Sequence, residues 1–158
     1  MIKVEIEGDL SNMMGGFELT DKDKNNMIRE LGKEMTKEIK KRAPVVSGKL
    51  KESIKQKNTE KGFSISTNID YAYWAEYGSG IYQLDDDGMH TGHSGWEVFP
   101  VNKKALKWTD KSGNTHFAKR VFIRGQEGQF FFKNGRAAGL TKLSKIATKY
   151  LKNVKGME

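Results

Sequence analysis

The stretch that decides the fold runs from Ala43 to Gly80: APVVSGKLKESIKQKNTEKGFSISTNIDYAYWAEYGSG. Pro44 disfavours helical backbone at the residue before it, so a helix arriving from the N-terminal side stops at Ala43. Ser47 is a natural N-cap for a short helix to Ile54, with Leu50 and Ile54 one turn apart as its buried face. The charged segment 57–62 reads as a turn. Phe63, Ile65, Thr67 and Ile69 then alternate with Ser64, Ser66 and Asn68, the period of a strand with one apolar face. Residues 71–77 can be read two ways. Their aromatics favour a strand, but Tyr71, Trp74 and Ala75 share a helical face that Asp70 could cap and Gly78 and Gly80 could end, and the helix is preferred. Glu76 then sits among aromatics and needs a hydrogen-bonding or cationic partner if it is buried.

Upstream, Ile2, Val4 and Ile6 alternate with charged residues as in a half-buried strand, and residues 8–16 read as a flexible connection. Thr20 and Asp23 form a capping-box pattern ahead of a long amphipathic helix over 21–42, whose apolar stripe is Met27, Ile28, Leu31, Met35 and Ile39. Downstream, 83–95 (QLDDDGMHTGHSG) reads as a polar, flexible loop. Strands are expected over 97–101, 105–109 and 116–123, with a hairpin turn at 111–114 and another turn at 125–128. Phe130, Phe131 and Phe132 form an apolar anchor. A second long amphipathic helix is expected over 134–152, weakened by Gly135 and Gly139, with a frayed tail over 153–158. The expected fold class is α+β. An antiparallel sheet is packed by the two long helices, with a short helix after Pro44, in a single domain over 1–158.

A chain of 158 residues can bury a core without disulfides or metals, but 36% hydrophobic and 30% charged residues make that core lean. Seventeen glycines against two prolines imply many turns, and such a chain often completes its burial against a partner, though most chains of this kind are soluble monomers. The absence of cysteine excludes disulfides, thiol nucleophiles and cysteine metal sites. The acidic N-terminal segment does not suit a signal peptide and no run reaches membrane-spanning length, so a soluble protein with no membrane partner is expected. The net charge of +8 is spread through the helices. That favours solvated helix faces, with a surface near nucleic acid as the alternative.

Four constellations invite chemistry. His90 and His93 beside Asp85, Asp86 and Asp87 could converge on a metal, but the flanking glycines leave the loop unorganised, and no metal or other cofactor is assigned. The run 85–88 lacks the alternate spacing and closing glutamate of a calcium loop. Glu76 beside Tyr71, Tyr73 and Tyr77 could be a general acid. No second acid or base accompanies it, so a structural carboxylate is the simpler reading and no catalytic residue is assigned. Ser47-Gly48-Lys49 lacks the glycine pattern of a phosphate loop, and capping accounts for Ser47. Trp74, Trp96, Trp108, Phe117, Phe122, Phe130, Phe131 and Phe132 could stack bases, but alternation with polar residues along the strands favours core packing.

The order of residues resembles the tail-completion or head–tail joining (neck) proteins of long-tailed bacteriophages. The resemblance rests on Arg42-Ala43-Pro44, Ser47-Gly48-Lys49-Leu50, Ser53-Ile54, Tyr71-Ala72 and Glu76-Tyr77-Gly78-Ser79-Gly80, and further on PVNKKAL (100–106), Phe117-Ala118-Lys119, Gly125 and Phe131. Ser79 stands where the family usually has Thr, and the proline usual before the anchoring phenylalanine is missing from GQFFFKNGRAAG. The start of the final helix must therefore be set in another way. The resemblance implies a non-enzymatic virion protein, assembled in the host cytoplasm as a ring (taken as a hexamer) at the phage neck. Its partners would be copies of itself, connector or adaptor proteins, and tail-terminator or tail-tube proteins, with DNA passing its lumen. The loop carrying Asp85, Asp86, Asp87 and Trp96 is the candidate contact between subunits. Two rivals remain: a basic nucleic-acid-binding module, and a small hydrolase using Glu76 with His90 and His93.

Overall fold

A computed structural model describes residues 2–7, 20–59, 62–85, 87–92 and 94–155. It is α+β, built of helices and small antiparallel sheets. The chain divides into two compact units: residues 1–76 with 129–158, and residues 77–128.

In the first unit, strand β1 (Ile2–Glu7) leads to helix α1 (Asp21–Arg42), short helix α2 (Lys49–Ser53), strands β2 (Lys55–Asn58) and β3 (Gly62–Thr67), and helix α3 (Ala72–Tyr77). Helices α4 (Phe131–Leu140) and α5 (Leu143–Lys155) complete it. The helix α1 begins as the capping-box pattern requires. Thr20 Oγ1 accepts from the Asp23 amide at 3.2 Å and donates to the Asp23 carboxylate at 2.6 Å. It stops at Ala43, whose extended backbone still donates to the Ile39 carbonyl. Its buried face is Met27, Leu31, Gly32, Met35 and Ile39.

The strand β3 is the centre of an antiparallel sheet in the order β1-β3-β2, with Ile2 opposite Thr67 and Lys55 opposite Ser66. Its central place explains why Ser64 and Thr67 are buried as well as Phe63 and Ile65. The segment expected as a charged turn begins instead as β2. Lys55 and Lys57 are exposed on this edge strand, and Gln56 turns inward, so no apolar alternation marks it. A side chain at Gly32 would meet the Gln56 carboxamide at 2.3 Å, which is how closely the sheet approaches α1.

Two further expectations are corrected. Ser47 is exposed and does not cap α2; the N-cap is Gly48 in a left-handed conformation, φ 80°, with no side-chain cap bond. The expected single helix over 134–152 is two helices. α4 starts earlier, at Phe131, and the chain breaks at Thr141–Lys142, where Thr141 Oγ1 donates back to the Ala138 carbonyl at 2.8 Å. Gly135 and Gly139 are contact points rather than weak spots. A Cβ at Gly135 would lie 2.6 Å from Ile39 Cα, and one at Gly139 2.9 Å from Met35 Cα, so α4 lies nearly backbone to backbone on α1. The connection expected over 8–16 lies outside the described residues, as do 156–158 of the expected frayed tail; residues 153–155 are helical.

In the second unit, a 3-10 turn (Gly80–Tyr82) is followed by two separate two-stranded antiparallel ribbons. One pairs β4 (Trp96–Val98) with β7 (Val121–Ile123), the other β5 (Leu106–Thr109) with β6 (Thr115–Ala118). The strand expected over 116–123 is therefore split at Lys119-Arg120, and its halves pair with different partners. The β5–β6 turn is the expected hairpin. Asp110 closes it, accepting from the amides of Ser112 and Asn114 at 2.9 Å each, with His116 Nε2 2.9 Å from its other oxygen.

Candidate functional site

The family-like segment 71–80 acquires its purpose from Glu76. Its side chain is 1% exposed, and its two oxygens accept from the backbone amides of Phe132 at 2.7 Å and Lys133 at 2.9 Å. Those amides belong to the first turn of α4, whose own N-cap, Phe130, offers no side-chain bond. A carboxylate from a distant part of the chain thus caps the helix and meets its positive end. This is how α4 starts where the sequence GQFFFKNGRAAG offers no proline. Both Glu76 oxygens are thus held by main-chain donors.

Around that cap the backbone is clasped. The Gln129 amide donates to the Ala75 carbonyl at 2.9 Å and the Phe130 amide to the Glu76 carbonyl at 3.0 Å. Phe130 is the one described non-glycine residue with a positive φ, 48°. Such a conformation is disfavoured for a bulky residue and persists where its surroundings fix it, as these bonds do. Phe131 and Phe132 beyond it are buried in the core with Ala72, Leu50 and Ile54. Ser53 joins α2 to the sheet, its Oγ 2.6 Å from Thr67 Oγ1, and Pro44 is half-buried behind α1.

The second unit brings together Gly80 and Gly125, which the sequence separates widely. Both have positive φ, 62° and 113°. A Cβ on Gly80 would lie 2.1 Å from the Arg124 carbonyl oxygen, and one on Gly125 1.9 Å from that of Ser79. Only glycine fits where these backbones cross. The crossing is tied by the Ser79 amide to the Gln126 carbonyl and the Ile81 amide to the Arg124 carbonyl, both 2.9 Å, with Gly78 at φ 86° beside it.

The loop from residue 83 is organised by Asp85, whose carboxylate accepts from the amides of Asp87 at 3.1 Å and Met89 at 2.8 Å. Leu84 bridges to His90, which is exposed. Asp86 and His93 lie outside the described residues, and among the described residues no group of three or more metal-ligating side chains gathers. The expectation of core packing holds for Phe131 and Phe132 and is corrected for Trp74, Trp96, Trp108, Phe117 and Phe122. Trp96, Phe99, Trp108, Phe117 and Phe122 are 45, 55, 41, 67 and 53% exposed, and no apolar side chain described in 77–128 is buried. Tyr71, Tyr73 and Trp74 of the first unit are also exposed.

The charged groups of α1 are sorted by α5 and its approach. Glu30 accepts from Lys149 at 2.8 Å and Tyr150 at 2.9 Å; Lys142 bridges Glu34 at 2.9 Å and Glu38 at 2.7 Å, and Arg42 also pairs with Glu38. The Lys142 and then the Arg42 hydrogen bonds hold Glu38 down to about 2. Lys142 lowers Glu34 and Lys149 lowers Glu30 in the same way, and these carboxylates in turn raise Lys142 and Lys149. The groove lined by Glu30, Glu34, Lys142, Lys145, Ile146 and Lys149 is thus laced by its own ion pairs.

Residues 6–78 match the family HK97-gp10_like, described as "Bacteriophage HK97-gp10, putative tail-component". This supports the resemblance to a phage tail or head–tail family. The match ends at Gly78, ahead of Gly125 and Phe131, on which the resemblance also drew. No curated protein and no solved structure matches the chain. No helix among the described residues is long and apolar enough to cross a membrane.

Proposed function

We propose that the chain is a structural virion subunit of a tailed phage or phage-like particle, forming a ring at the head–tail interface that completes the tail and joins it to the connector. The match of residues 6–78 to a phage tail-component family supports the tail assignment. The ring reading is carried by the surface of residues 77–128, where two ribbons expose Trp96, Trp108, Phe117 and Phe122 around unpaired strand edges. A two-stranded ribbon is marginal alone in water, and exposed aromatics with open edges are the usual raw material of a protein interface. The partners are further copies of this chain and the connector and tail-terminator or tail-tube proteins, met after synthesis in the host cytoplasm. Asp85, Asp87 and Trp96 would lie in the contact between subunits. The role needs no cofactor and no catalytic residue.

The test is sedimentation velocity of the purified chain, alone and with its neck partners, beside electron microscopy of particles carrying a labelled copy. Rings and a label confined between head and tail are expected. A chain that stays monomeric with those partners, or a label absent from particles, overturns the reading.

A further inference from the structure

In sequence the basic residues look scattered, but the fold collects them. On α1, Arg29, Lys33, Lys37 and Lys41 recur every fourth residue and all four are exposed. At about 1.5 Å rise per residue they form one row roughly 18 Å long with a cation every 6 Å or so. The row lies on the flank opposite Met27, Leu31, Met35 and Ile39, with Lys40 beside it. The neighbouring acids do not neutralise it. Glu30, Glu34 and Glu38 are hydrogen-bonded to Lys149, Lys142 and Arg42, while Lys33 and Lys37 act on Glu30 and Glu34 only as more distant charges. Among the described residues none of the four row cations has an ion-pair partner.

We infer that this face of α1 binds the phosphate backbone of duplex DNA without reading sequence. The charge calls for a polyanion, and the rest of the face selects which kind. Besides Lys and Arg that face carries Asn26, Thr36 and Glu30, the last already bonded to Lys149 and Tyr150, and it has no aromatic or aliphatic anchor. Protein interfaces concentrate their energy in such anchors and are depleted in lysine, whereas phosphate contacts need only positioned cations and exclude no base. The inference deepens the neck reading and rests on it only for the biological source of the DNA.

The experiment is fluorescence anisotropy of the full chain with a labelled duplex of about two helical turns, roughly 20 bp, titrated across salt. Neutralising four phosphates predicts a slope of log affinity on log salt of about −3.6, roughly a hundredfold loss between about 50 and 200 mM. The combined variant Arg29→Gln, Lys33→Gln, Lys37→Gln, Lys41→Gln should lose most of that slope and bind at least about tenfold more weakly at low salt. Glutamine keeps helix propensity, and circular dichroism verifies the fold. A second variant of equal charge change, Lys103→Gln, Lys104→Gln, Lys111→Gln, Lys119→Gln, should bind as the parent does. Equal loss in both variants, a parent without steep salt dependence, or a polyglutamate peptide competing as well as duplex would each overturn the inference, the last in favour of an acidic protein. Binding that depends on α1 supports it whether or not rings form, so the two readings fail separately.

Discussion

The two units are made of the same kinds of residues and use them in opposite ways. The first buries Phe63, Phe131 and Phe132 with a shell of Met, Ile and Leu, and aligns the buried Glu76 carboxylate on two amides. The second leaves Trp96, Trp108, Phe117 and Phe122 at the surface and holds its shape by main-chain bonds, glycine crossings and the Asp85 and Asp110 turns. One unit is stabilised by what it encloses, the other by how its backbone is tied. The side chains a protein does not need for its own core are the ones available to a neighbour.

The largest effect separating the two should come from Glu76. Glu76→Ala strands one buried and one part-buried amide and uncaps α4, so urea unfolding should show a loss of about 2–4 kcal/mol, with Glu76→Gln milder. A loss below about 0.5 kcal/mol would remove the carboxylate from its place as keystone of the first unit.

Next comes Gly139→Ala, where two principles predict opposite signs. Helix propensity alone would stabilise by about 1 kcal/mol, whereas contact with Met35 should destabilise by about 1–3 kcal/mol. The midpoint of unfolding gives the sign directly, and we expect destabilisation.

A smaller effect follows acid. Glu38 is lowered from its ordinary 4.5 to about 2, so its contribution is complete above the ordinary value and is lost as pH falls from there through about 2. Glu30 and Glu34 are shifted in the same direction. Hydrogen exchange in α5 should therefore accelerate in that window, and Lys142→Met should flatten the Glu34 and Glu38 part of the response. Lys142 and Lys149, shifted upward, should add a second loss only above their ordinary 10.5.

The smallest stability effect belongs to the second unit. Trp96→Ser with Phe122→Ser should change unfolding by no more than about 0.5 kcal/mol yet abolish rings in sedimentation. A marked stability loss would mean that these rings enclose a core after all.

Local chemistry was legible in the sequence, and distant partners were not. The Thr20 cap, the stop before Pro44, the Phe63–Thr67 strand and the hairpin turn at 111–114 each depend on residues a few positions apart. Glu76 announced a need for a partner, but the amides that meet it lie 56 and 57 residues away. Gly135 and Gly139 carried a signal in their four-residue spacing, which marks one face of a helix, but propensity alone reads them as defects. The alternation in the second unit marked strands, but their burial does not alternate. Periodicity cannot say whether a side faces a core or open water, and that is why the exposed aromatics were misjudged. The strand β2, with one inward residue, had no period to detect.

The clasp at Ala75, Glu76, Gln129 and Phe130 also has a meaning for descent. Residues 77–128 depart and return at a single main-chain junction sealed within the first unit. Closing a loop becomes costlier only slowly with its length, by about 0.6 kcal/mol per doubling. An insert held at such a junction can lengthen, shorten or be exchanged for another while its host stays intact. The junction would let one scaffold acquire new neighbours by grafting.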